Sequence, residues 1–157
     1  MKKLITSGMF VVGMVSLPVS LSHTQSRPVQ PTEYNQDPRL ETLRNFFRKA
    51  DCPAANYAEA FLEAADAYEL DWRLLPSLSY VESTGGKSAP FNNLFGWDSG
   101  RAHFASPMAS IHAVGYRLAH SYLYKDKELD SLLATYNPNL NYVEKVKSVM
   151  RRISPSE

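Results

Sequence analysis

Between residues 85 and 106 the chain carries Gly85, Gly86, Pro90, Gly96 and Gly100 among the aromatics Phe91, Phe95, Trp97 and Phe104, and no other segment limits the possible folds as much. Glycine and proline at that density end regular structure, yet four aromatic side chains are too apolar for a purely solvated loop. The segment is expected to lie against a folded body as one long aromatic loop, with a short β-hairpin around Leu94 to Phe104 as the other option.

On either side of this break the apolar residues recur at helical spacing, so the fold class is all-α. Asp37-Pro38 has the order of an N-cap followed by a first-turn proline, and Leu40, Leu43, Phe46 and Phe47 continue a helix to about Ala50. A second helix is expected from about Asn56 to Tyr68, with Tyr57, Phe61, Leu62, Ala65 and Tyr68 inward and Glu59, Glu63 and Asp66 in water. Asp71 is placed to cap a third, where Pro76, one turn in, predicts a bend or a displaced start. Ser106-Pro107 opens a fourth, with Ile111, Val114, Leu118 and Tyr122 on one stripe. Leu129 to Tyr136 forms a short helix stopped by Asn137-Pro138, and Asn141 can cap a last one that buries Val143, Val146, Val149, Met150 and Ile153.

The first residues, Met1-Lys2-Lys3 and then a mostly apolar run from Leu4 to Val19 with Ser20-Leu21-Ser22 beyond it, have the layout of a secretory signal over residues 1–22. The alternative is an uncleaved anchor, marginally long enough to span a bilayer at about 1.5 Å per residue. The expected location is thus periplasmic or extracellular, membrane-tethered if the signal stays. Residues 23–37 are Ser, Gln, Thr and Pro with little to bury, which reads as a flexible linker, and residues 38–154 then make one domain, expected as a monomer. Cys52 is the only cysteine, so no internal disulfide supports that domain. A lone cysteine builds no zinc cage, and His103, His112 and His120 lack ligand spacing, so neither a metal nor an organic cofactor is expected. The formal charge is +1, and loss of Lys2 and Lys3 with the signal takes it to −1. Neither value carries the clustered basic excess of a nucleic-acid binder, and Lys145, Lys147, Arg151 and Arg152 read as the wet side of the last helix.

Glu82, at the end of the helix that runs into the aromatic loop, is the candidate catalytic residue. The negative end of the helix dipole and a dry setting supplied by Phe91, Phe95 and Trp97 would both favour its protonated form, which suits a general acid. The competing reading is a solvated glutamate at a helix end. Trp97 and Tyr136 offer flat faces for the C–H side of a sugar ring, or they are core aromatics whose hydroxyl, in Tyr136, needs a partner when buried. Asn92 and Asn93 suit either acetamido groups or turns, and Asn92 is assigned to a turn.

Five segments in order carry a resemblance: Tyr80-Val81-Glu82-Ser83; Gly85-Gly86-Lys87; Asn92-Asn93-Leu94-Phe95-Gly96-Trp97; Phe104-Ala105-Ser106; and Ala134-Thr135-Tyr136-Asn137-Pro138. Together they resemble peptidoglycan-cleaving enzymes of the lysozyme-like superfamily, of the glucosaminidase and lytic-transglycosylase type. The resemblance implies a lysozyme-like helical lobe with a groove for strands of N-acetylglucosamine and N-acetylmuramic acid. It also implies Glu82 as catalytic acid, the segment Asn93 to Gly96 as groove wall, Tyr136 near the scissile bond, and Ser83, Asn93, Phe95, Trp97 and Tyr136 as substrate-contacting residues. Asp98 is the only acidic residue from Leu94 to Ser106 and so the only candidate there for a second catalytic carboxylate. Such pairs lie about 5 to 5.5 Å apart in retaining enzymes and about 6.5 to 9.5 Å in inverting ones. If Asp98 points away, Glu82 acts as acid and then base, with the substrate's 2-acetamido oxygen or muramyl 6-hydroxyl stabilising the cationic centre. A different class of reading is a non-catalytic glycan-binding module or wall-assembly accessory. Which bond is cut, and whether the glycan is peptidoglycan or chitin-like, stay open at this point.

Overall fold

The structure, a computed structural model, describes residues 34–155. Within them six α-helices follow in the order α1 (Pro38–Lys49), α2 (Ala58–Ala67), α3 (Leu74–Ser83), α4 (Pro107–His120), α5 (Leu129–Tyr136) and α6 (Tyr142–Ile153). No strand occurs among the described residues, and none of their helices is long and apolar enough to cross a membrane. The signal expected over residues 1–22 and the linker residues 23–33 lie outside the described part.

The end of the expected linker is folded, which corrects the boundary at 37. Tyr34, 3% exposed, packs into the core from a 3-10 turn at Tyr34–Gln36, and its hydroxyl donates to Asp66 Oδ2 at 3.0 Å. Arg39 bridges Asp66 and Asp37, so the N-cap aspartate of α1 is tied to α2. One aromatic ring in a polar stretch was enough to extend the domain, because burying it offsets the entropy of ordering three residues.

Leu40, Leu43 and Phe47 of α1, Phe61 and Leu62 of α2, Leu75 and Leu78 of α3 and Ile111, Val114 and Leu118 of α4 belong to one core, in which α1, α3 and α4 each pack on α2. The expected start of α2 at Asn56 is instead a 3-10 turn over Pro53–Tyr57 that leads into the helix. Tyr122 drops out of the α4 stripe: the helix ends at His120, and this ring is 83% exposed.

Helix α3 is the central element, buried from Leu74 through Ser79 and packed against α2 and α6. Its start is displaced past Asp71, which accepts from the Arg73 amide rather than capping the first turn from the N-cap position. Pro76 thereby falls at the third helical residue, where the missing N–H would have had no helical partner anyway. At the other end Thr84 turns left-handed and the Gly85 amide returns to the Ser79 carbonyl at 3.1 Å. Gly85 has φ +58°, and a Cβ there would sit 2.8 Å from Cys52 Cβ, so only glycine fits this turn over the α1 end.

The aromatic segment is a loop and not a hairpin. Phe91, Asn92, Gly96, Asp98, Ser99 and Gly100 all have positive φ, which no extended ladder tolerates. The loop closes instead through single bonds: Phe104 N–H to the Phe91 carbonyl at 3.0 Å, and the Asn92 side-chain Nδ2 to the Phe104 carbonyl at 2.9 Å. Asn92 is thus the turn residue the sequence suggested.

Candidate active site

The last turn of α3 delivers Glu82 to the wall of an open cleft of about 760 Å³, formed with Phe95 to Ser99 of the loop, Arg117 of α4, Tyr124, and Tyr136 to Pro138 at the end of α5. Glu82 also faces a second depression of about 320 Å³ on the α6 side, with Asn137 shared between the two. Glu82 therefore lines both spaces.

Two contacts fix that carboxyl group. The Tyr142 hydroxyl donates to Oε1 at 2.6 Å, a bond between residues 60 apart in the chain. Gly96 lies against Oε2, to which a Cβ at this position would come within 3.2 Å. Gly96 also has φ +59°, so both the turn and the approach to the carboxylate call for glycine.

Around Glu82 stands an aromatic wall. Tyr136 stacks on Tyr142 with ring centroids 6.0 Å apart, and Trp97 meets Tyr136 edge-on at 5.8 Å and Tyr124 at 6.2 Å. Burial pushes the Tyr142 phenol far above its ordinary range, and both its bond to Glu82 and the charge of that carboxylate push the same way. Tyr136 is raised for the same first reason, then by the charge of Glu82. Burial also raises Tyr124, against the opposing charge of Arg117. These phenols stay un-ionised well past neutrality, so Tyr142 remains a hydrogen-bond donor to the carboxylate.

The residues picked out in the sequence separate into cleft and frame. Glu82, Phe95, Trp97, Asp98 and Tyr136 line the cleft. Ser83 and Asn93, expected to touch substrate, are not part of the cleft lining. Ser83 is 2% exposed, and its hydroxyl lies within hydrogen-bond distance of the Leu94 and Ser79 carbonyls, at 2.8 and 3.0 Å, while accepting from the Gly86 amide. Asn93, also 2% exposed, clamps Trp97 by donating to its carbonyl and accepting from its amide, both at 2.9 Å. A buried amide must satisfy both its ends, and the nearest groups were in its own loop. Phe91, expected to dry the site, is 55% exposed and stacks on His103 at 3.8 Å away from the cleft.

Within the cleft the roles also shift. Tyr136 donates its hydroxyl to the Phe95 carbonyl at 2.7 Å, so it braces the loop and offers ring surface rather than a free hydroxyl. The Arg117 guanidinium stands 5.3 Å over the Trp97 ring. Asp98 is exposed, sits at φ +53° and pairs with Arg101 at 2.9 Å. Arg117, Tyr124 and above all Tyr142 went unnoticed in the sequence, where Asn137 figured as a helix stop and within the last resembling segment. No local signal marks Tyr142, whose significance arises only from the packing of α6 on α3.

Comparison of the chain with protein families, with characterised proteins and with solved structures returns no match.

Proposed function

We propose that this protein is an exported glycosidase that cuts the glycan strands of peptidoglycan, with Glu82 as its general acid and base. The observation that carries the reading is the setting of Glu82: a carboxyl residue in the wall of an open cleft, gripped at Oε1 by Tyr142 and accompanied there by Trp97, Tyr124 and Tyr136. A glycan strand lying along the aromatic cleft would bring a glycosidic bond against that carboxyl group. The aromatic wall would stack the C–H faces of the sugar rings. The ordered segments from Tyr80 to Pro138 that resemble lysozyme-like glucosaminidases point the same way, and the N-terminal residue pattern supports export.

The chemistry follows from which carboxyl oxygen is free. Because Tyr142 donates to Oε1, Oε2 is the oxygen left to carry and deliver a proton, on the side where Gly96 presents no side chain. Glu82 passes that proton to the glycosidic oxygen as the bond to the anomeric carbon breaks. The resulting carboxylate then takes a proton from an attacking water, which gives hydrolysis, or from the muramyl 6-hydroxyl, which closes an anhydro sugar. Asp98, tied to Arg101 and exposed, favours this one-carboxylate route with help from the substrate's own 2-acetamido oxygen.

The test is digestion of purified peptidoglycan with product mass spectrometry. Wild-type protein releases muropeptides, and Glu82→Gln lowers the rate at least about a hundredfold, the low end expected for a general acid. Equal release by both proteins removes Glu82 from the mechanism. Sedimentation with the wall but no new ends at any protein concentration identifies a glycan-binding module instead.

A further inference from the structure

Helix α6 carries four basic residues in its last nine, and its neighbours divide them. Lys147 pairs with Asp130 at 3.0 Å and approaches Glu144 at 3.6 Å, while Arg151 approaches Glu144 at 3.7 Å. Among the described residues Lys145 and Arg152 have no such carboxylate partner. Both face a run of depressions that leads away from Glu82. The one of about 320 Å³ beside Glu82 shares Val81 and Lys145 with a second of about 340 Å³, and that one shares Tyr80 and Arg152 with a third of about 680 Å³, which Lys49 of α1 also lines. Three cations line this path, and Glu82 at its head is the only acidic residue on it.

The path has a definite length. Tyr142, Lys145 and Arg152 lie at i, i+3 and i+10 on one face of α6, so Arg152 is about 15 Å beyond Tyr142 at the helical rise of about 1.5 Å per residue. An extended peptide covers that distance in about four or five residues at roughly 3.3 Å each. Arg152 is held ready along it: its guanidinium stacks over Phe46 at 5.5 Å and over Tyr80 at 5.3 Å, which fixes the planar group while leaving its edge N–H donors for an acceptor.

We infer that this path along α6 binds the short, carboxylate-bearing peptide branch of the sugar seated at Glu82, with Lys145 and Arg152 as carboxylate receptors. The inference rests on the glycosidase reading for its substrate and deepens it, because the aromatic cleft would take the glycan and the cationic path its substituent. Unmatched positive charge beside a neutral sugar cleft is what a branch with two or more free carboxylates complements. Exposed contacts of this kind contribute about three- to fivefold in affinity each, so two together contribute about tenfold.

The test uses the full chain carrying Glu82→Gln, so that ligand is bound without turnover. Calorimetry compares a GlcNAc–MurNAc disaccharide bearing a tetrapeptide with the same disaccharide lacking it. The peptide-bearing ligand should bind about tenfold tighter, and Lys145→Glu and Arg152→Glu should each remove most of the difference while leaving the bare disaccharide's affinity in place. Should Arg152→Glu fail to fold through loss of its stacking, Lys145→Glu carries the test, since that side chain is exposed. Equal affinities for the two ligands overturn the inference. Free tetrapeptide, titrated into labelled protein, should shift the amides of Tyr142 to Arg152. If it does so in a protein that neither binds nor cleaves glycan, the glycosidase reading falls and the peptide path stands; shifts scattered elsewhere sink the path.

Discussion

Replacing Tyr142 by phenylalanine removes one hydroxyl and leaves the ring that stacks on Tyr136, which isolates the bond to Glu82. A hydrogen bond to a charged group contributes about 1.5–3 kcal/mol, and the lower figure applies here because Glu82 borders an open cleft where water can replace the lost donor. About 1.5 kcal/mol corresponds to a fall in Tm of roughly 5–6 °C for a domain of this size. The pH dependence is more diagnostic. The phenol's pKa is raised in the folded state, so the unfolded chain, in which tyrosine ionises near pH 10, is the form favoured as pH climbs. The stabilisation is therefore complete below about pH 10 and is lost above it, while the folded phenol is still protonated. By pH 11 the unfolded state gains about 1.4 kcal/mol from this one ionisation, and Tyr142→Phe cannot share that loss. Wild-type and variant stabilities, measured by urea titration from pH 8 to 11.5, should differ by about 1.5 kcal/mol at pH 8 and converge near pH 11. Titration of lysines and other tyrosines is common to both proteins and cancels in the difference. A gap that stays constant across the range would show that burial and Glu82 do not hold the phenol un-ionised. Turnover should fall about tenfold with KM little changed, since the hydroxyl removed is engaged in positioning the acid.

Two substitutions test the loop. Asn93→Ala strips both bonds from the Trp97 backbone inside a buried turn and should cost about 1–3 kcal/mol in a denaturant titration, with Trp97 fluorescence shifted to the red; an unchanged midpoint would deny Asn93 its role as clamp. Gly96→Ala places a methyl 3.2 Å from Glu82 Oε2 at φ +59°, so activity should drop more than the roughly 1–2 kcal/mol of backbone strain lowers stability. Loss of stability with full activity would mean that Oε2 is not the working oxygen.

The helical architecture was legible because it rests on local rules. Asp37 and Ser106 each accept a hydrogen bond from the backbone at the start of their helices, Asn137-Pro138 stops α5 as its side chains dictate, and the stripes Leu40-Leu43-Phe47 and Ile111-Val114-Leu118 are buried as their spacing requires. The place of Glu82 in the last turn of a helix before an aromatic loop was legible too, since that is a one-dimensional pattern. What surrounds it was not. Asn93 and Ser83 read as polar groups beside a site, and whether a polar group faces a ligand or its own backbone depends on which donors and acceptors the fold brings within about 3 Å. Tyr34 looked like part of a tether, and only the folded core buries its ring and brings Asp66 of α2 to its hydroxyl. The chain's periodicity determined six helices and the loop between them. Tertiary packing alone decided that Tyr142, 60 residues downstream, holds the carboxyl group, and that Lys145 and Arg152 face an open path while Lys147 and Arg151 meet acids. Local propensity acts over a few residues, whereas a hydrogen bond or an unmatched charge is defined by neighbours in space, and those exist only once α6 has packed on α3.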